Sequence, residues 1–220
     1  MVSAASGNPL PVPARNPYPT AAAFLPEKLS MRALRDAVQA CRGCPLYADA
    51  TQAVFGEGTL KAEVMLVGEQ PGDQEDLAGA PFVGPAGKLL DRALHEAGID
   101  RRTTYVTNAV KHFKWKARGT RRIHDKPSWT ETTACRPWLD AELALVKPRA
   151  LVLMGATAAQ GLLGKSFRVT QARGRPLDSD LAEVVVATIH PSAVLRAENR
   201  EEMFAGLVDD LRVVARAFAA

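Results

Sequence analysis

The stretch Val64-Met65-Leu66-Val67-Gly68-Glu69-Gln70-Pro71-Gly72-Asp73 decides the fold of this chain. Four consecutive apolar residues predict a strand that is buried on both faces, and Gly-x-x-Pro-Gly after them predicts a sharp turn. Such a strand is typical of a parallel sheet that helices cover on both sides. The polar residues after it then lie at the carboxyl end of a strand, where open parallel sheets bind their ligands.

The alternation of apolar strand and amphipathic helix continues along the chain from this stretch. Further strands are predicted over residues 105–107, 151–154 and 184–189, and helices over 30–41, 88–97, 131–146, 157–163 and 201–218. A strand followed by a helix, four times over, predicts an α/β fold with right-handed crossovers. We therefore expect a three-layer α/β/α sandwich around a central four-stranded parallel sheet.

Composition bounds the domain organisation. The chain has 220 residues with 47% hydrophobic content, which suits one domain with a full core. Residues 1–27 are rich in Pro and Ala and predict a disordered tail, leaving a single domain over 28–220. No segment reaches the ~20 apolar residues of a membrane span, and the first residues lack a signal-peptide pattern. We expect a cytoplasmic monomer.

Polar residues follow all four predicted strands. They are Glu69, Gln70 and Asp73, which follow Gly68 at the end of the first strand, Asn108 after the second, Thr157 after the third, and His190 and Ser192 after the fourth. A carboxylate, two amides and a histidine at one sheet edge are suited to holding a small planar ligand and to acid–base or electrostatic work. Each residue alone is also an ordinary turn former, and only their common placement favours a site.

The connection over residues 111–129 is basic and aromatic. It holds seven Lys or Arg residues against one acid, Asp125, with Phe113, Trp115 and Trp129 among them. A run of charge is usually a solvated face, but interleaved aromatics favour contact with a nucleic-acid backbone and with exposed bases. His124 lies inside this connection, where a core position is not expected.

Three cysteines form a metal-like pattern. Cys41 and Cys44 have the two-residue spacing that lets both thiolates face one ion or cluster, and Cys135 supplies a third ligand. An odd cysteine count argues against a disulfide framework, although a redox pair stays open. Among the histidines, His112 is the choice for the fourth ligand. The spacing alone does not separate zinc from an iron–sulfur cluster.

Together these motifs resemble the uracil-DNA glycosylase superfamily, and within it the family 4 type that carries an iron–sulfur cluster. Residues 68–72 resemble its first motif, and residues 80–87 resemble the segment whose aromatic, here Phe82, stacks on the base. Residues 108–111 resemble the motif whose asparagine reads the uracil edge. Residues 190–196 resemble the final motif, a loop that presses into DNA.

Two departures from the family 4 pattern resemble a narrower group, UdgX, bacterial enzymes that stay covalently joined to the sugar after uracil leaves. Gln70 stands where family 4 has alanine, and the basic insertion carries Arg121-Arg122-Ile123-His124, which is similar to the UdgX motif. A third departure, which also fits UdgX, is His112, which stands where the third cysteine is usual. The resemblance implies a [4Fe–4S] cluster on Cys41, Cys44, His112 and Cys135, and it is the resemblance that selects iron over zinc.

The resemblance also implies a role for each site residue. Phe82 would stack on the flipped uracil, Asn108 would pair with its O4 and N3–H, and His190 would stabilise charge on O2. Glu69 would stabilise the sugar cation and His124 would bond its C1′. Arg122 would hold the loop near the phosphates and Arg196 would fill the gap that the base leaves. The remaining predicted substrate contacts are Gly68, Gln70, Asp73 and Ser192.

Two other functions stay open at this point. One is a hydrolytic family 4-type glycosylase that turns over and leaves a free abasic site. The other is a non-catalytic iron–sulfur or zinc module that binds DNA, which would need the basic connection and the cysteines but not Glu69, Asn108 or His190. In each case the partner is DNA, and the aromatic residues of the connection favour single strands.

Overall fold

The structure is a computed structural model that describes residues 16–218. In this part of the chain the helices are α1 (Met31–Val38), α2 (Asp73–Ala78), α3 (Pro85–Ala97), α4 (Trp129–Val146), α5 (Ala156–Leu163), α6 (Val169–Ala172), α7 (Pro191–Arg196) and α8 (Arg200–Phe218). The strands are β1 (Glu57–Gly58), β2 (Val64–Gly68), β3 (Thr104–Asn108), β4 (Trp115–Arg118), β5 (Arg121–His124), β6 (Ala150–Met154), β7 (Pro176–Leu177) and β8 (Val184–Thr188).

The main sheet has six strands in the order β1-β3-β2-β6-β8-β7. Its four central strands are parallel, which confirms the predicted α/β fold with a four-stranded parallel core. The two outer strands are antiparallel and only two residues long. Sequence periodicity cannot reveal them, because two residues are too few to show an alternation.

Alternate residues of the central strands face opposite layers of helices. Leu66 belongs to the core cluster that contains the apolar faces of α3 and α8. Its neighbours Met65 and Val67 belong to the cluster that contains residues of α4 and α5. Side chains in a strand point alternately to its two faces, so a continuous apolar run is what a doubly covered strand requires.

Local capping chemistry fixes the helix ends. The Ser30 hydroxyl accepts the backbone N–H of Ala33 at 3.2 Å and begins α1. Gly98 ends α3 in the left-handed region at φ +80°, a conformation that favours glycine. Ser128 and Glu131 form a capping box at the start of α4, which continues through Pro137. Within residues 16–218, no helix combines the length and the hydropathy that a membrane span requires.

The basic connection is ordered as a hairpin, which the sequence did not predict. Strands β4 and β5 pair antiparallel, with Trp115 opposite His124 and a turn at Gly119, where φ is +61°. The Asp125 N–H donates to the Lys114 carbonyl at 2.9 Å, so the two ends of the hairpin are neighbours. We call residues 114–125 the basic hairpin.

Part of the predicted tail contacts the rest of the protein. Residues Ala21–Phe24 form a 3-10 helix in which Ala21 is fully buried, and the Thr20 N–H donates to the Gly43 carbonyl at 3.1 Å. The Asn16 amide donates to the Thr130 carbonyl at 3.0 Å. Residues 16–27 therefore pack on the domain, and the rest of the predicted tail, 1–15, lies outside the described residues.

A buried ion pair lies beneath β3. Lys111 and Glu142 form it, and both side chains are fully buried. The Lys111 ammonium also donates to the Thr107 hydroxyl at 2.7 Å and to the Asn108 carbonyl at 2.8 Å. Glu142 in turn accepts the Tyr105 hydroxyl at 2.9 Å. Each charge is thus hydrogen-bonded several times, which is the condition for tolerating charge in a core.

Candidate active site

The carboxyl ends of the parallel strands meet at one edge of the sheet, as predicted. Gly68 at the end of β2 lies opposite Asn108 at the end of β3. Met154 at the end of β6 lies opposite Thr188 at the end of β8, two residues before His190. The register of the sheet therefore brings residues far apart in sequence to a common rim, where ligands of open α/β sheets bind.

Four of the predicted site residues surround one small space at this rim. A Cβ atom on Gly68 would collide with the Asn108 Oδ1 and would lie 2.6 Å from the Phe82 Cζ. The rings of Phe82 and His190 have centroids 5.9 Å apart. Oδ1 of Asn108 and Nε2 of His190 are buried and have no hydrogen-bond partner within residues 16–218. Buried polar atoms normally have partners, so both atoms indicate a ligand.

The hydrogen bonds of His190 define its tautomer. The Ser192 backbone N–H donates to Nδ1 at 3.2 Å, and the Ser192 hydroxyl lies 2.8 Å from the same nitrogen. Burial, and then the charges of His124 and Arg196, lower the pKa of His190 to about 4. The ring is therefore neutral at pH 7, with its proton on Nε2. Its unpartnered nitrogen is a donor.

The backbone of Phe82 is held in a conformation that is uncommon for a bulky residue. Its φ is +57°, in the left-handed region, and the residue is 9% exposed. Such a conformation costs on the order of 1–3 kcal/mol and persists only where the surroundings enforce it. Gly87 approaches so closely that a Cβ there would lie 2.9 Å from the Phe82 Cα and closer still to its carbonyl group. This constraint aims the ring into the space beside His190.

A second group of side chains lies at the mouth of this space. Nε2 of His124, at the end of β5, lies 3.3 Å from Oε1 of Glu69. The other carboxylate oxygen of Glu69 accepts a hydrogen bond from the Thr157 hydroxyl. The His124 side chain is 47% exposed, and its ring centroid lies 6.2 Å from that of Phe113. A half-exposed imidazole beside a carboxylate can act as a nucleophile or as a base.

Gln70 contacts the basic hairpin. Its amide donates to the carbonyls of Lys114 and Asp125 at 3.1 and 3.0 Å, and its oxygen accepts the Lys114 N–H at 3.0 Å. These two residues are the ends of the hairpin. The Gln70 side chain, predicted to bind substrate, thus holds the base of the hairpin against the strand end.

Arg122 and Asp73 also contact each other across this junction. The Arg122 guanidinium donates to Asp73 and to the fully buried Asp76, both at 2.6 Å. Its carbon lies 5.4 Å from the centre of the Phe113 ring and 5.7 Å from that of Trp115. Arg122, predicted to lie near phosphates, is therefore engaged by two carboxylates and fixes the strand that carries His124.

The last two predicted substrate contacts lie on or beside α7. Ser192 is half-buried and contacts Nδ1 of His190, so it acts on the site through that ring. Arg196 is exposed at the end of α7, where its charge reaches His190. Its contact with DNA stays a prediction.

The three cysteines lie in one buried core cluster with Trp138. The Trp138 indole N–H donates to the Cys41 sulfur and the Lys111 backbone N–H donates to the Cys135 sulfur, both at 3.3 Å. His112 is also buried, and burial lowers its pKa to about 4. Over residues 16–218 no group of three or more His, Cys, Asp or Glu side chains is arranged to hold a metal ion.

Thr157 lies at the predicted rim but belongs to none of the motifs that imply a role for a site residue. The signal was its position after β6, at the same edge as Glu69. Whether a hydroxyl donates to a carboxylate depends on the direction of both side chains, which a sequence motif does not show. The same holds for Phe113, which the sequence predicts to contact nucleic acid but which lies against His124 and Arg122.

Comparisons with known proteins identify the class of α/β domain to which this fold and rim belong. The sequence model described as "Uracil DNA glycosylase superfamily" matches residues 55–212, which is more than half of the chain. The chain belongs to this superfamily.

Named relatives are similar over most of the chain. It is 38% identical over 172 residues to the type-4 uracil-DNA glycosylase of Thermotoga maritima, covering 78% of this chain and 86% of the relative. The type-4 enzyme of Pyrobaculum aerophilum is 35% identical over 76% of this chain and 86% of its own length. The type-5 uracil-DNA glycosylase of Thermus thermophilus is 32% identical over 57% of this chain and 59% of its own length.

Proposed function

We propose that this protein cleaves uracil from DNA and that His124 then bonds the sugar. Base excision rests on one observation, the two unpartnered buried atoms on Asn108 and His190 beside the Phe82 ring. Capture rests on the 3.3 Å approach of His124 to Glu69. The names of the relatives support the first part, and the resemblance to UdgX supports the second.

Base recognition follows from the donor and acceptor pattern of the pocket. Oδ1 of Asn108 accepts, so it suits the N3–H of uracil, and the amide nitrogen suits O4. Cytosine presents an unprotonated N3 and a 4-amino group, which is the opposite pattern. A site whose buried acceptor stays unpaired rejects the wrong base strongly, because the lost hydrogen bond is not replaced by water.

Bond breaking sends the electron pair of the C1′–N1 bond to the uracil. The leaving base is then an anion with charge on O2, where the Nε2–H of neutral His190 donates. One such donor in a dry site is worth about a hundredfold in rate. The sugar becomes oxocarbenium-like, and the carboxylate of Glu69, oriented by Thr157, stabilises its positive charge.

Capture completes the reaction. In the tautomer that carries its proton on Nδ1, the Nε2 lone pair of His124 bonds C1′ and the ring becomes an imidazolium, which then gives the Nδ1 proton to solvent. A side chain held at the reaction centre has an effective molarity of ~10⁵ M or more, far above that of water. The imidazole therefore reacts before water does. The adduct persists because no group in the proposed mechanism expels it.

Hydrolysis is the second candidate function. Identities of 35–38% to type-4 glycosylases support it. In that reaction water replaces His124 at C1′, and the pocket of Asn108, Phe82 and His190 does the same work. The two candidates differ only in what bonds the sugar.

We also propose that Cys41, Cys44, Cys135 and His112 hold a [4Fe–4S] cluster. The shared burial of the thiols and the N–H donors to two of their sulfurs support this, since such donors tune thiolate ligands of iron–sulfur clusters. Bound there, the group would tie α1 to α4 and stabilise the region by binding linkage. No step of the reaction passes through it.

The test is a denaturing gel of the protein after mixing with a labelled single-stranded oligonucleotide that carries one uracil. A shifted band that survives heat and detergent supports release and capture together, and cytosine at the same position gives no band. Alkali-cleavable product without a shifted band supports hydrolysis. If neither product forms, the result supports the remaining alternative, a non-catalytic module that binds DNA. Action as a cytoplasmic monomer stays a prediction.

A further inference from the structure

A groove opens beside the reaction centre, between the end of the basic hairpin and α5. It has a volume of about 190 Å³, and its lining includes Lys126, Trp129, Thr157, Gln160 and Lys165. Pockets for drug-sized ligands span about 300–1,000 Å³, so this groove suits one planar ring. None of its lining residues is acidic.

Thr157 connects this groove to the reaction centre. Its hydroxyl donates to Glu69, and the other oxygen of Glu69 faces His124. Lys126 follows His124 by two residues, so the same segment carries the capturing group and one wall of the groove. A strand whose uracil occupies the pocket would therefore pass this groove with a neighbouring nucleotide.

Trp129 differs from the other two tryptophans of the chain. The indole N–H of Trp115 donates to the Asp49 carbonyl at 2.8 Å, and that of Trp138 donates to Cys41. Trp129 is 39% exposed, and its indole N–H has no protein partner in the described chain. An exposed indole is a platform on which any base can stack.

The two lysines provide the matching charge. Lys126 and Lys165 are exposed, and neither forms an ion pair within the part of the chain that the structure describes. The segment that carries Lys165 is held in place, because Gln160 donates to the Phe167 carbonyl at 3.1 Å and Arg168 donates to the Ser166 carbonyl at 3.0 Å. Free cations around an aromatic platform are the pattern of single-strand binding sites.

We propose that this groove binds a nucleotide adjacent to the uracil in the same strand, with its base stacked on Trp129 and its phosphates on Lys126 and Lys165. The inference rests on the proposed function, because it concerns the strand that delivers the uracil. It also gives a physical reason for the expected preference for single strands, since a base in a duplex is not free to stack on a side chain.

The experiment measures binding of the full chain to a labelled single strand whose uridine carries a 2′-fluorine, which resists cleavage by destabilising the sugar cation. An abasic spacer replaces each flanking base in turn. We expect one flanking position at which the spacer weakens binding about fivefold or more, the effect of one lost stack. Trp129→Ala should weaken binding by the same factor and abolish the effect of the spacer at that position.

Two further variants and one control complete the test. Trp129→Phe keeps an aromatic face and should retain most of the affinity. This variant shows whether Trp129→Ala weakens binding through the lost stack or through a disturbed first turn of α4. The pair Lys126→Gln and Lys165→Gln should reduce the slope of log affinity against log salt by about 1.4, the value for two phosphates on a single strand. Lys61→Gln removes an exposed lysine just before β2, at the opposite edge of the sheet, and should change neither quantity.

Spacer effects that do not depend on Trp129, or a Trp129→Ala protein that binds like wild type, would overturn the proposal. Uracil release by the wild-type protein is measured separately. If uracil release is normal but the Trp129→Ala protein binds DNA like wild type, only the proposal for the groove is refuted, and the proposed function is not. Binding that depends on Trp129 without any release supports the groove as a single-strand site and refutes the proposed glycosylase.

Discussion

The pocket and the basic hairpin are built in different ways. Asn108 and His190 extend from strands of the central sheet, and the buried Lys111–Glu142 pair supports the backbone of Asn108 from below. His124 belongs to a two-stranded hairpin outside that sheet, which Gln70 and Arg122 fasten to the rim. The contrast teaches that the residues proposed for base recognition belong to the core of the domain, whereas the group proposed for capture depends on a few polar contacts at its edge.

The largest expected effect distinguishes the role proposed for the hairpin, adduct formation, from the role proposed for the pocket, uracil release. His124→Ser should abolish the heat-stable adduct while uracil release continues, because water takes the place of the imidazole at C1′. The denaturing gel and alkali cleavage measure both products. His95→Ser, an exposed histidine on α3, is the matched control and should form the adduct normally. An unchanged adduct in His124→Ser would rule out this residue as the point of attachment.

The next effect concerns the core alone. Glu142→Gln leaves the Lys111 ammonium buried without a counter-charge and should lower the free energy of unfolding by about 3 kcal/mol or more. Glu183→Gln is the control, since Glu183 pairs with Arg149 at the surface and should cost at most about 1 kcal/mol. Urea denaturation midpoints measure both. Equal losses would contradict the supporting role of the buried pair.

The attachment of the hairpin gives a smaller effect. Gln70→Ala removes three hydrogen bonds at its base and should lower adduct formation relative to uracil release at least tenfold, since each such bond contributes about 1 kcal/mol and a loss of about 1.4 kcal/mol already corresponds to a factor of ten. Gln171→Ala, at an exposed position of α6, should leave that ratio unchanged. If both products fell in parallel, Gln70 would act on the pocket and not on the hairpin.

The smallest effect concerns the protonation of His190, which should not change in the folded protein over the pH range given below. Its pKa of about 4 lies below the ordinary 6.5 because of burial first and nearby positive charges second, so the folded ring should not titrate between pH 8 and 5. The unfolded chain takes up this proton near pH 6.5. The contribution to stability is therefore complete above pH 6.5 and is lost as the pH falls towards 4. Nuclear magnetic resonance of the ring, with urea-unfolded protein as the control, measures this, and a ring that titrates near 6.5 in the folded state would contradict its burial.

The sequence was sufficient for the parts of the molecule that follow from periodicity. The apolar runs at β2, β6 and β8 predicted the parallel sheet, and Asn108 and His190 could be placed at one edge because each follows a strand of that sheet. The hairpin was not predicted, because its strands are four residues long and lie among charges. The contact of Arg122 with Asp73 spans 49 residues of sequence, and only the folded chain shows that this cation faces carboxylates.

The two ends of the hairpin meet at the hydrogen bond between Asp125 and Lys114. A segment with adjoining ends can be gained or lost in one genetic event without disturbing the sheet from which it grows. One short insertion and a supporting glutamine would then separate two kinds of glycosylase. The first turns over, and the second is consumed because it stays bonded to its product. For protein engineering, the two strands and the turn of the basic hairpin (residues 115–124) form a unit that could be transferred to a related protein.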